Sequence, residues 1–264
     1  MAIRNEELRR LLDQKEFERS RNYDAEWLVD EPMGANPLWL SEWLTRDIVL
    51  EPGMRVLDLG CGRAKSSIFL AREFGVQVWA VDLWTEASDN RRLIEEAGVA
   101  DRVFPLHIDA RSLPFAQDYF DAMIAIDSYQ YYGNDDLYLN YVSQFVKPGG
   151  VMAFASAGLM QDFPDNHVPE HLQRFWSQDA WCVHTLDWWR AHWQRTGLVD
   201  IEHSDVMEDG WKRWHTWSIA VDASAWYREV LENDRGQYLG YLRMIGKRRE
   251  NVDRWTPPNS EGVS

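Results

Sequence analysis

Asp58, Gly60, Gly62, Asp82 and Asp109 are the residues whose types and spacing could do chemistry together. Asp58-Leu59-Gly60-Cys61-Gly62 closes a short apolar run and precedes a helical pattern. A strand that ends in a glycine-rich turn, with a helix opening behind it, presents backbone N–H groups and a helix N-terminus to a ligand. Gly60 and Gly62 carry no Cβ, so a ligand can approach the backbone closely. Asp82 ends the next apolar run, about twenty residues on, where a carboxylate can grip both hydroxyls of a ribose. So far a nicotinamide dinucleotide fits as well. Three details separate the readings. The third glycine of G-x-G-x-x-G falls on Lys65. Asp58 stands two residues before the first glycine, where a carboxylate opposes a pyrophosphate and suits a positively charged ligand. The first strand begins only at Met54, behind a helical stretch, whereas dinucleotide domains usually open on theirs.

These residues need elements to position them, and the hydrophobic pattern supplies a set. Residues 4–21, with Leu8, Leu11, Leu12 and Phe17, read as an amphipathic helix, and Pro37 to Leu50 as a second. Strands are expected at Met54–Leu59, Val76–Leu83, Val103–Ile108, Phe120–Ile126 and Val151–Ala155. Helices are expected at Ala64–Phe74, stopped by Gly75, at Glu86–Ala97, ended at Gly98, and at Asp135–Val146, followed by a turn at Lys147-Pro148-Gly149-Gly150. This alternation predicts a doubly wound parallel sheet. Beyond Ser156 the regularity breaks, and residues 157–184 read as a lid or insertion. Thr185 can cap a helix running to Thr196, with Gly197 past its end. Val199–His203 then reads as a strand, Trp211–Leu231 as one helix and Tyr238–Lys247 as the final strand. A polar tail containing Pro257-Pro258 is expected to be disordered.

With these pieces in place the chain resembles the class I S-adenosylmethionine-dependent methyltransferases. The matching segments are Val56–Gly62, Val78–Asp82, Asp109-Ala110 with Leu113-Pro114-Phe115, Phe120-Asp121-Ala122, and Val146–Gly150. The resemblance looks closest to the small-molecule branch, which includes ubiquinone/menaquinone-type, amine and cyclopropane-fatty-acid-synthase-like enzymes. It implies an α/β fold: a Rossmann-like, doubly wound seven-stranded sheet, mostly parallel with an antiparallel last strand, carrying an N-terminal helical cap and a lid insertion. The expected divisions are a cap at 1–50, a cofactor-binding core at 51–156, a lid at 157–184, the rest of the core with a helical insertion at 185–250, and a tail at 251–264. The implied cofactor is S-adenosyl-L-methionine, released as S-adenosyl-L-homocysteine. The resemblance places Gly60, Cys61 and Gly62 against its methionine part, with Asp58 near the ammonium. Asp82 would hold the ribose, Leu83 and Trp84 would lie against the adenine, Asp109 with Ala110 would meet the adenine amino group, and Ile126 and Asp127 would sit beneath. The implied reaction is in-line transfer of a methyl group to a small molecule. The alternatives are a cyclase or cyclopropane-synthase-like enzyme using the same cofactor, or a protein that binds it without catalysis.

Arg63-Ala64-Lys65 departs from the usual small residue after the glycines; Arg63 is expected to face solvent. The loop Asp127–Gly133 faces the transferring methyl in this family, and its tyrosines offer hydroxyls and π faces. Tyr129, Tyr131 and His184 are the candidate bases for an acceptor that must lose a proton. Trp39, Tyr131, Trp181 and Trp211–Trp217 are candidates for an aromatic acceptor chamber, in a chain with 15 tryptophans. A formal net charge of -15 disfavours nucleic acid as a partner. Lys247-Arg248-Arg249 reads as a solvated strand end. His167-Val168-Pro169-Glu170-His171 spells a zinc-peptidase pattern, but Pro169 starts a helix inside it, and no metal is expected. Two cysteines cannot frame a disulfide scaffold, and no apolar run is long enough to cross a bilayer. The expectation is a cytoplasmic enzyme without membrane insertion, its oligomeric state open.

Overall fold

The computed structural model describes residues 5–250; the expected disordered tail at 251–264 lies outside them. Seven strands form one sheet: β1 (Arg55–Leu59), β2 (Gln77–Asp82), β3 (Val103–His107), β4 (Phe120–Ile126), β5 (Val146–Leu159), β6 (Val199–Val206) and β7 (Leu239–Arg248). Their spatial order is β3-β2-β1-β4-β5-β7-β6. The first five pair in parallel, and β7 runs antiparallel to both β5 and β6. The mostly parallel sheet with an antiparallel last strand is therefore present. The winding reverses between β1 and β4, which opens a crevice at their carboxyl ends.

Val56, Leu57, Met123, Ile124 and Ala125 are fully buried, as continuous apolar strands covered on both faces must be. One face is covered by α3 (Pro37–Thr45) and α4 (Lys65–Phe74) through Leu38, Leu40, Leu44, Ile68 and Phe69. The other is covered by α6 (Tyr138–Ser143) and α7 (Leu186–Gln194), whose Trp189 and Trp193 are wholly enclosed with Phe154. Six of the 15 tryptophans, Trp39, Trp43, Trp189, Trp193, Trp214 and Trp217, are buried in the core. Thr185 caps α7 by accepting from Trp188, as expected, and Asn36 caps α3 by accepting from the N–H groups of Leu38 and Trp39.

The expected helix over 4–21 shortens to α1 (Asn5–Leu12), because Phe17 turns inward to stack on Trp39. A further short helix, α2 (Ala25–Val29), follows, capped by Asp24. The turn expected at 147–150 is absorbed into β5, with a register shift between Phe120 and Ala122. The helix expected over 211–231 is two, α8 (Gly210–Ala220) and α9 (Ala225–Asp234), because Asp222 takes a left-handed backbone (φ 52). Residues 160–184 carry only single 3-10 turns. Within them His171 meets Asp234 at 3.1 Å while the His167 ring meets the Asp165 carbonyl at 2.7 Å, so the zinc-like spacing is spent on separate partners. The basic run is neutralised: Lys247 pairs with Glu202, Arg248 with Asp118 and Arg249 with Asp200. Among the described residues, no helix is long and apolar enough to cross a membrane.

Candidate active site

A cavity of about 300 Å³ opens over the carboxyl ends of β1, β2 and β4. Its floor is backbone. Gly60 adopts φ +75, and a Cβ there would stand 2.4 Å from the Ser128 side chain, so only glycine fits. The N–H groups of Gly60 and Cys61 both donate to the Val81 carbonyl, at 2.8 and 3.0 Å. Gly62 donates to Asp82 Oδ2 at 2.8 Å, while Asp82 Oδ1 accepts from Trp84 and Thr85 at 2.8 and 2.9 Å. A carboxylate has roughly four acceptor positions. Asp82 therefore fixes the turn first and keeps about one position for a ribose hydroxyl. Asn90, which the sequence reading missed, donates to the Gly62 carbonyl at 2.8 Å and braces the same turn from α5 (Ala87–Glu96).

Asp58, in β1 two residues before Gly60, is fully buried. Ser66 and Ser67, in the first turn of α4, donate to its Oδ2 at 2.6 and 2.5 Å. Its Oδ1 is enclosed and has no partner. Burial pushes its pKa up to about 6 against the opposing effect of the two hydroxyls. A half-satisfied buried carboxylate is costly unless a cation or donor completes it. Cys61 is buried beside it, and burial raises its thiol, so it packs rather than reacts.

At the mouth, Leu83 is exposed and Trp84 is 70% exposed, its ring edge-on to Tyr131 at 5.8 Å. Ile108, Asp109, Ala110 and Arg111 line the adjoining wall, and Ile126 and Asp127 line the strand-end side. Asp109 is gripped by Arg111, whose Nε and Nη2 reach its oxygens at 2.9 and 2.7 Å. That hydrogen bond holds the carboxyl below its ordinary range.

The segment 28–36 forms the roof, held by isolated long-range contacts. Lys65 Nζ donates to the carbonyls of Leu28, at 3.0 Å, and of Asp30. Burial lowers this ammonium to about 8. Asp127 Oδ2 accepts from Ala35 N–H at 2.7 Å and its Oδ1 from Ala157 N–H at 3.1 Å. Gly34 has φ +65, and a Cβ there would meet Asp127 Oδ2 at 2.4 Å. Trp217 Nε1 donates to the Gly34 carbonyl at 2.9 Å, which ties α8 to the roof. Arg63, expected to face solvent, instead lines the cavity with its side chain only 12% exposed and pairs with Glu31 of the roof. The reason is the roof itself, which covers the turn on which Arg63 stands.

The three candidate bases do not converge. Tyr129 is fully buried in the core, stacked on Phe154 at 4.7 Å and walled by Trp189 and Trp193. Its hydroxyl has no partner, and burial pushes it far above its ordinary value. His184 lies flat on Trp188 at 3.8 Å, outside the cavity lining, and burial lowers its pKa. Tyr131 does line the cavity, half-exposed, with its phenol raised by burial and by Asp127, so it remains a protonated donor at neutral pH. Of the aromatic chamber, Tyr131 and Trp217 reach the cavity, whereas Trp39 is buried against Phe17 and Trp181 is exposed outside the lining.

Residues 56–150 match a family model described as a methyltransferase domain. Over 171 residues the chain is 28% identical to a methyltransferase, GfsG, of Streptomyces halstedii, covering 64% of this chain and 61% of that one. Over 172 residues it is 26% identical to the 27-O-demethylrifamycin SV methyltransferase of Amycolatopsis mediterranei, covering 64% and 62%. The alignments thus span less than two thirds of those relatives' own length. Among solved structures, the geranyl diphosphate C-methyltransferase of Streptomyces coelicolor A3(2) superposes with a TM-score of 0.65 at 18% identity, over 79% of this chain and 78% of that one. The sheet is the Rossmann-like sheet of such methyltransferases.

Proposed function

We propose, from the premise that this chain carries a methyltransferase domain of the class I S-adenosylmethionine-dependent kind, that it transfers a methyl group from S-adenosyl-L-methionine to a small-molecule acceptor. The observation that carries the reading is the buried Asp58, two residues before Gly60, whose Oδ1 has no partner. A pyrophosphate would be repelled there, whereas a cationic cofactor completes the site.

The residues present fit that cofactor. Gly60, Cys61 and Gly62 would lie along its methionine arm with Asp58 below. Asp82 would take a ribose hydroxyl, Leu83, Trp84, Ile108 and Ala110 would border the purine, and Asp109 would meet its amino group once Arg111 yields. Ile126 and Asp127 would stand at the strand end beneath it. The bound cofactor supplies an activated methyl on a sulfonium. What the chain adds is alignment and exclusion of water, which supply much of the acceleration of an in-line displacement. The roof over 28–36 closes the cavity, and the Tyr131 hydroxyl, protonated at neutral pH, donates to the acceptor and orients it. Tyr129 acts as packing in the core, and His184 as packing against Trp188. The acidic chain and its two free cysteines support a cytoplasmic setting and a metabolite rather than a nucleic acid as acceptor.

Incubation with methyl-labelled S-adenosylmethionine and a metabolite panel tests this. The expected result is S-adenosylhomocysteine formed together with a labelled small molecule. Calorimetry that finds NADH bound and S-adenosylmethionine ignored would overturn it.

A further inference from the structure

The cavity is walled by carboxylates, and most of its cations are already engaged. Lys65 is committed to the Leu28 and Asp30 carbonyls, and Arg111 is locked two-pronged onto Asp109. Asp82 and Asp127, which line the cavity, have no neutralising cation among their hydrogen-bond partners, and neither has Asp58, buried behind the lining. Such a wall suits the ammonium and sulfonium of the proposed cofactor and leaves its carboxylate without a counter-charge. Arg63 is the exception. It follows the glycine turn immediately, lines the cavity, and its Nε is buried with no hydrogen-bond partner. One edge of the guanidinium is engaged: Nη2 pairs with Glu31 of the roof, and Nη1 stands 4.0 Å from Asp89. Glu31 and Asp89 are 62% and 56% exposed, so both contacts are screened by water and bind the arginine weakly. A guanidinium has five donors in a fixed fork, and an enclosed N–H left unpaired is costly.

We propose that the unpartnered Nε of Arg63 receives the carboxylate of the cofactor's amino-acid arm while Nη2 keeps Glu31. Arg63 is thereby the residue that selects a cofactor bearing a carboxylate over the same adenosyl sulfonium without one. It also joins the seated cofactor to the roof through one planar group. This assignment rests on the function proposed above and adds the residue that reads the amino-acid end.

Decarboxylated S-adenosylmethionine keeps the ammonium, the sulfonium and the nucleoside, and lacks only the group in question. Calorimetry on the intact chain should show S-adenosylmethionine binding at least about tenfold more tightly than the decarboxylated form, the value of one charge-assisted hydrogen bond. Arg63→Met should weaken S-adenosylmethionine by about 10-fold to 100-fold and leave the decarboxylated form within about twofold, so that the preference collapses. Arg63→Lys, which keeps the charge without Nε, should fall between. Equal losses for both ligands would make Arg63 a support of the fold and overturn the proposal, as would no loss for either. If the unsubstituted chain binds neither ligand, the cofactor reading itself fails, a result distinct from both.

Discussion

The floor and the roof of the cavity are built by opposite means. The floor hangs on backbone: Gly60, Cys61, Gly62, Trp84 and Thr85 all direct their N–H groups to Val81 or Asp82. The roof is held by single contacts from distant parts of the chain, namely Lys65, Arg63, Asp127 and Trp217. A floor of this kind is rigid and fails as a unit. The roof can be loosened one contact at a time, as a cover that must admit and release ligands requires.

The hardest test of the floor is Gly60→Ala. It adds a left-handed strain and an overlap with Ser128, together about 3 kcal/mol. Thermal unfolding should fall steeply, and cofactor binding should be lost even in protein that remains folded; a variant that melts and binds as before would refute the rigid floor. On the roof, Asp127→Ala strands the N–H groups of Ala35 and Ala157, at about 2 kcal/mol. Its effect should be local. Amide exchange across 30–36 should quicken and ligand should leave faster, while the melting of the sheet shifts less than for Gly60→Ala. Uniformly faster exchange would erase the distinction between the two regions.

Asp58 sharpens the comparison through pH. Its proton is held more tightly folded, at about 6, than at its ordinary value of 3.8. The folded state therefore takes up the proton first as pH falls, so this residue adds stability between about 6 and 3.8 rather than losing it. Urea titrations at about pH 7.5 and about pH 4.5 should show the unsubstituted chain gaining about 2 kcal/mol relative to Asp58→Asn. Cofactor affinity should move the other way, weakening as pH drops through about 6, because a cation needs the carboxylate. An Asp58→Asn difference independent of pH would remove that carboxylate from the account. The smallest effect is expected at Tyr129→Phe, which deletes a hydroxyl that has no partner. Stability should change by less than about 0.5 kcal/mol and turnover should hold, whereas a large fall in turnover would restore Tyr129 to catalysis.

The same contrast explains what could be read in advance. The strands from β1 to β4 announce themselves as short apolar runs, and Asp58, Gly60, Gly62 and Asp82 stand at their ends because a parallel sheet puts its ligand there. Thr185 and Gly197 mark the limits of α7 by local chemistry alone. The break between α8 and α9 had a local signal too, Asp222 before Ser224, but the apolar spacing of 211–231 outweighed it. Tyr129 gave no such signal. A tyrosine in a loop beside a site looks available, and only the meeting of Phe154 with Trp189 and Trp193 encloses it. Arg63 shows the converse: sequence displays its charge, while its burial depends on a roof whose contacts follow no period.

The bond between Trp217 and Gly34 joins positions 183 residues apart. During synthesis β1 to β4 and the entire glycine turn emerge long before α8 leaves the ribosome. A nascent chain at that stage holds a floor with one of the roof's fastenings still unmade. Completion of the enclosed site is thus deferred until Trp217 has been made, and a chain stalled before it would carry the recognisable motif without its full enclosure.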